Sequence, residues 1–166
     1  MYIEFIFLII DYFSTIDRRI FIYEWGLPIL MGIISFVLSW CIEVVDLYEF
    51  ICEVIGIISV LLGFTLAALT LFLTNSQIER TKEYTTDKTI RGKNISLYRL
   101  LTINYSYLII VESILCICFY TGKLFSAFIP YTLSTILNSL FIILVFNILL
   151  MTIRTISDLY FIISKE

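Results

Sequence analysis

The chain contains no histidine. That removes the commonest general base of enzyme catalysis and the commonest metal ligand. No Ser-x-Gly elbow, Walker loop, Cys-x-x-Cys pair or metalloprotease helix motif occurs. An intramembrane protease would need a Ser/His dyad or two aspartates within its spans, and neither is present. The expectation is a protein that is not an enzyme and has no cofactor. Charge is also scarce. Only 15% of the 166 residues are charged and 60% are hydrophobic, with a mean hydropathy of +1.00. A soluble domain carries about 25% charge and about 45–50% apolar residues, so the composition calls for a bilayer as solvent. Basic residues are missing ahead of the first short apolar run, which opens Met1-Tyr2-Ile3-Glu4. A cleaved signal peptide needs a basic n-region, so targeting is expected to rest on the spans themselves. There is no internal repeat and no low-complexity tract beyond Ile/Leu/Phe richness.

What basic charge there is falls into a pattern. Ten of the eleven Lys and Arg residues lie in three stretches between or beside four apolar runs, with Lys123 the exception. Arg18 and Arg19 precede the first run. Arg80, Lys82, Lys88, Arg91, Lys93 and Arg99 separate the second from the third, and Arg154 and Lys165 follow the fourth. By the positive-inside rule this predicts a four-pass, all-α bundle with both termini in the cytoplasm. The predicted spans are 25–42, 54–73, 101–120 and 128–151. Trp25 and Trp40 would mark the two interfaces of span 1, and Pro28 and Pro130 would sit in first turns, where a missing N–H costs least. Segment 2–20 has too short an apolar core to cross. As a helix it aligns Glu4, Asp11, Thr15 and Arg18 in one polar stripe, which predicts an interfacial helix; a disordered leader is the alternative.

Span 2 carries Gly56, Ser59, Gly63, Ala67 and Thr70 at steps of three and four, hence on one narrow face. Small residues let helix backbones approach closely in lipid. The stripe is expected to pack on another helix, of the same subunit or of a neighbour, with pore lining as the sharper alternative. In span 3 Glu112 stands amid an apolar run. Buried acids of this kind usually face the bundle interior and find a partner, and burial favours the neutral form. Asn138 is the expected partner, with Ser59 and Gly63 near the same level. The competing roles are an interhelical hydrogen bond, a proton- or ion-responsive group, and a headgroup-facing or lipid-defect role. Asn138 and Asn147 are nine residues apart and so point to opposite sides of span 4, a hint of oligomerisation.

The connection 75–98 is the only sizeable soluble piece, with a turn expected at Arg91-Gly92-Lys93-Asn94. Its basic residues suit anionic headgroups or a cytoplasmic docking partner; nothing in it indicates specific nucleic-acid binding. Glu43, Asp46, Glu49 and Glu53 make the outer connection acidic, which charge asymmetry explains better than a metal site. Cys41, Cys52, Cys116 and Cys118 all map to the outer half, either as free buried thiols or with Cys41 and Cys52 bridged.

The short four-pass plan, the Leu62-Gly63-Phe64-Thr65-Leu66-Ala67-Ala68-Leu69 run and the charged loop after it together resemble the membrane-subunit family of the bacterial Kiwa phage-defence system (KwaA). The resemblance covers the plan of the whole chain and carries over no residue. It implies an oligomeric inner-membrane sensor working with a cytoplasmic effector. A sensor or scaffold that responds to bilayer or envelope disturbance is therefore the first expected function, and a pore that alters permeability the second.

Overall fold

In the computed structural model, which describes residues 2–42, 47–74, 84–90 and 92–163, four helices are long and apolar enough to cross a membrane. The chain is an integral membrane protein built as a helical bundle. The elements in order are α1 (Tyr2–Thr15), α2 (Arg18–Phe21), a π-helical turn (Ile22–Gly26), α3 (Leu27–Ile42), α4 (Leu47–Thr74), strands β1 (Thr85–Ile90) and β2 (Lys93–Ser96), α5 (Leu97–Phe125), a short 3₁₀ turn (Ser126–Phe128) and α6 (Tyr131–Ile163). The 28, 29 and 33 residues of α4, α5 and α6 exceed the ~20 that cross a hydrocarbon core. Their ends therefore run past the apolar segments that hydropathy alone delimits.

Adjacent spans run antiparallel. The buried residues of α4, Leu47, Ile51, Ile58, Thr65 and Phe72, recur at four and seven. Those of α5 include Leu101, Tyr105, Leu108, Glu112, Leu115 and Phe119, alternating four and three. Such spacing keeps one narrow seam facing a partner helix, and α4 packs on α5 along its length. Phe72 stacks on Tyr98 at 5.1 Å near one end of this seam, and Ile51 meets Gly122 at the other. Helix α6 is the central element, in contact with α3, α4 and α5, whereas α3 packs chiefly on α6. At Gly32 the close approach is extreme. A Cβ there would lie 2.6 Å from Ile143 Cδ1 and 3.2 Å from the Ser139 carbonyl oxygen, so only glycine lets α3 and α6 approach this far.

Beside the bundle, β1 and β2 pair antiparallel, with Thr89 opposite Asn94 and Ile90 opposite Lys93. Gly92 takes a φ of 76°, a left-handed turn conformation that glycine adopts without a Cβ penalty. Ser96 ends β2 and caps α5 by accepting from Arg99 N at 3.4 Å. The connection 75–98 is thus not simply a loop. From Tyr84 it is a hairpin, and α5 begins four residues before the expected span.

Helix α1 ends at Thr15 and Arg18 falls in α2, so the expected stripe is broken; Glu4 and Arg18 are exposed, but the middle of the stripe turns inward. Thr15 is buried and Asp11 half-buried, while Ile6, Phe7, Ile10 and Phe13 are exposed. Its other side packs on α5 and β1, with Tyr12 in one core with Ile90 and Ile95. Packing reverses the orientation an isolated amphipathic helix would take on a protein surface, because the exposed apolar side is the one that lipid can solvate.

Candidate functional site

The polar centre of the molecule grows from Pro28. The expected span opened at Trp25 with Pro28 in its first turn; in the structure the helix already begins at Arg18 and runs through Pro28. Within a helix proline offers no N–H to the carbonyl four residues back, and its ring crowds that carbonyl. The turn before it widens into the π-helical turn Ile22–Gly26. The carbonyl deprived of its α-helical donor is that of Glu24, and Asn147 Nδ2 of α6 donates to it at 2.7 Å. Trp25, expected at an interface, lies inside this turn with its indole N–H buried.

The Glu24 side chain is 4% exposed and forms an ion pair with Arg154 of α6, Oε1 to Nη1 at 2.6 Å. Its other oxygen accepts from the Tyr12 hydroxyl at 3.0 Å. Tyr12 stacks on Tyr107 of α5, ring centroids 3.7 Å apart. Burial pushes the Tyr12 phenol well above its ordinary range, reinforced by the Glu24 charge, so the hydroxyl stays a donor. Asp158, one turn beyond Arg154, interacts electrostatically with Arg154 and with Lys88 of β1. Lys88 is ion-paired with Asp17, just after α1, and Arg99 Nη2 lies 4.0 Å from Asp11. One network therefore joins α1, the π-helical turn, α5, α6 and the hairpin. Tyr12→Phe should release α1: with the charged acceptor left one donor short, the loss is about 1.5–3 kcal/mol. Faster amide exchange in α1 than in α4 would register it.

The second buried acid is Glu112, near the midpoint of α5 and fully buried. Its partner is Thr65 of α4 at 3.1 Å, not Asn138. The reason is register. Phe119 meets Phe141 ring to ring at 4.8 Å, which sets Asn138 level with the Gly122 end of α5, roughly 15 Å along the axis from Glu112 at 1.5 Å per residue. Ser59 instead lies 4.0 Å from the thiol of Cys116. Asn138 and Asn147 are each 1% exposed. Because α6 is central, both of its sides face neighbours in the same subunit, so the two amides do not argue for a second one.

The small-residue stripe turns the other way. Gly56, Ser59, Gly63, Ala67 and Thr70 are all exposed, and nothing lies within 4 Å of a Cβ built at Gly56 or Gly63. Within a subunit Ser59 reaches Cys116 of α5 at the edge of the stripe, while Gly56 and Gly63 meet no other helix among the described residues. Of the basic residues singled out from sequence, Lys93 and Arg99 are exposed and Lys88 half-buried in its ion pair; Arg80, Lys82 and Arg91 lie outside the described residues, as do Glu43 and Asp46 of the acidic connection. Lys123 sits over the Tyr48 ring, 5.7 Å from its centroid. All four cysteines are free. Compared with family models, curated proteins and solved structures, the chain matches none.

Proposed function

We propose that the chain is a non-enzymatic, oligomeric sensor or scaffold of a bacterial inner membrane, which converts bilayer or envelope disturbance into a signal to a cytoplasmic effector. The observation that carries this reading is the position of α1. Its exposed Ile6, Phe7, Ile10 and Phe13 offer a surface to lipid. Its opposite side is tied to the span ion pair through Tyr12 and to the hairpin through Asp17–Lys88. A change in lipid packing that shifts such an interfacial helix is thereby transmitted to the hairpin. The distribution of Lys and Arg puts the hairpin and both termini in the cytoplasm, where Lys93 and Arg99, with Arg80, Lys82 and Arg91, can meet anionic headgroups or an acidic partner. The resemblance to Kiwa membrane subunits accords with this, with phage infection as the disturbance.

The alternative is a pore. Glu112, Asn138 and Asn147 are each 1% exposed or less, so within one subunit they do not line an open path, and a pore would have to form between subunits. Reconstitution separates the readings. The expected result is no ion conductance above empty liposomes, together with capture of a soluble partner that is lost when the six basic residues Arg80 to Arg99 are neutralised. Conductance that persists in the neutralised variant would establish the pore instead.

A further inference from the structure

The hydroxyl of Thr65 has one proton and two neighbours that want it. Its Oγ1 lies 2.8 Å from the Leu61 carbonyl oxygen and 3.1 Å from Glu112 Oε1. A threonine hydroxyl donates once and accepts twice. Both contacts are satisfied together only when the hydroxyl donates to Leu61 and the carboxyl of Glu112 donates to the hydroxyl, which requires Glu112 to carry a proton. A carboxylate in the same place would compete for the one hydroxyl proton and would also have to satisfy Oε2, which has no partner among the described residues. Two to four hydrogen bonds are the ordinary complement of an ionised carboxylate, and at zero exposure water cannot supply them. Among the described residues, the elements around Glu112 offer no compensating charge. From α4 the facing group is Thr65, and the acids Glu49 and Glu53 are more than two turns away. Of the α6 charges, Arg154 is held by Glu24 and Asp158 lies beyond it, both toward the hairpin end. From α1, Tyr12 is engaged with Glu24 and Tyr107.

We propose that Glu112 and Thr65 form an exchangeable proton-binding site in the α4–α5 seam, and that its occupancy holds α4 against α5. Glu112 occupies a seam position between Leu108 and Leu115 that is otherwise apolar. With the proton bound, the acid packs there as a neutral group. Without it, the bare carboxylate must draw in water or a cation, and the seam opens to admit it. The bound species is a proton and no covalent step is involved. This inference stands apart from the sensor reading, because it concerns a single subunit and needs no partner.

The chain contains a reporter for the test. Ser59 Oγ and Cys116 Sγ face each other across the same seam at 4.0 Å, so Ser59→Cys sets two thiols in position to cross-link α4 to α5. In lipid vesicles containing the full chain with Ser59→Cys, oxidation by copper phenanthroline should give an intrachain cross-link whose yield falls as the pH is raised. The same measurement with Glu112→Gln added should show no such fall, and because it carries the same thiols it cancels the pH dependence of oxidation itself. Infrared difference spectra between the wild type and Glu112→Gln at neutral pH should show the C=O stretch of a protonated carboxyl. Carboxylate bands in its place, or equal pH dependence of cross-linking in the two backgrounds, would overturn the site. Bands that appear only with sodium present would reassign it to a cation.

Discussion

Replacing Arg154 with methionine should destabilise the bundle by roughly 3–5 kcal/mol, the usual consequence of leaving one member of a buried ion pair uncompensated. Glu24 would keep the Tyr12 hydroxyl but lose its cation in a site where its side chain is 4% exposed. Hydration cannot replace the guanidinium there without prising α1 or α6 away. Glu24→Gln should be milder, since Arg154 retains Asp158 as an electrostatic neighbour. The double replacement Glu24→Gln with Arg154→Met should recover most of the loss, because an amide of nearly the same shape can still accept from Tyr12, neither member of the pair is left charged, and Asp158 keeps Lys88 as its cationic neighbour. Reversible unfolding in lipid-detergent micelles measures all three, with Arg19→Met on an exposed side chain as the reference. A single Arg154→Met variant as stable as that reference would show that the pair carries no such energy.

The network was illegible in the sequence for a specific reason. Reading span 1 from Trp25 leaves Glu24 among headgroups, where a carboxylate needs no partner. The signal that could have found it is Pro28. A proline continued within a helix orphans the carbonyl four residues before it, and residue 24 happens to carry the acid as well. In the sequence Arg154 shows only as a charge beyond the last apolar run, because composition does not say how far α6 continues. Its 33 residues bring that arginine back beside the bundle.

Other features were legible in kind but not in partner. Glu112 stands out as a lone acid at a seam position, and its burial follows from that position. Its partner does not, because depth counted from predicted helix ends assumes equal overhangs, and the overhangs of α5 and α6 differ. Four spans follow directly from hydropathy and charge. The β-branched Thr85, Thr86, Thr89, Ile90 and Ile95 around Gly92 are the signal for the hairpin, but they are few and interleaved with the charges of the connection. The polar stripe of α1 keeps Glu4, Asp11 and Thr15 but loses Arg18 to α2. Its orientation is decided by what it docks on, which no periodicity contains.

Glycine shows the same limit, and gives the second large effect. Gly63 belongs to a conspicuous stripe, whereas Gly32 has only Ser35 and Ser39 at helical spacing beside it. The physics inverts their importance for one subunit. At Gly32 any side chain meets Ile143 and the Ser139 backbone, and a backbone cannot rotate away. Gly32→Leu should therefore force α3 off α6. Overpacking costs about 1–3 kcal/mol, occasionally more, where neighbours can yield, and here one neighbour cannot. The loss would also shift Asn147 from the Glu24 carbonyl, so part of the ion-pair energy should go with it. At Gly63 nothing lies within 4 Å, so Gly63→Ile should leave the unfolding of a single subunit nearly unchanged, within about 0.5 kcal/mol. Any effect there must appear in association, as a shift from oligomer to monomer in native electrophoresis or cross-linking. Gly32→Leu should do the reverse, lowering subunit stability before association is measured. If Gly63→Ile unfolded the subunit, or Gly32→Leu left it intact, the assignment of the two glycines to an inner and an outer face would be wrong.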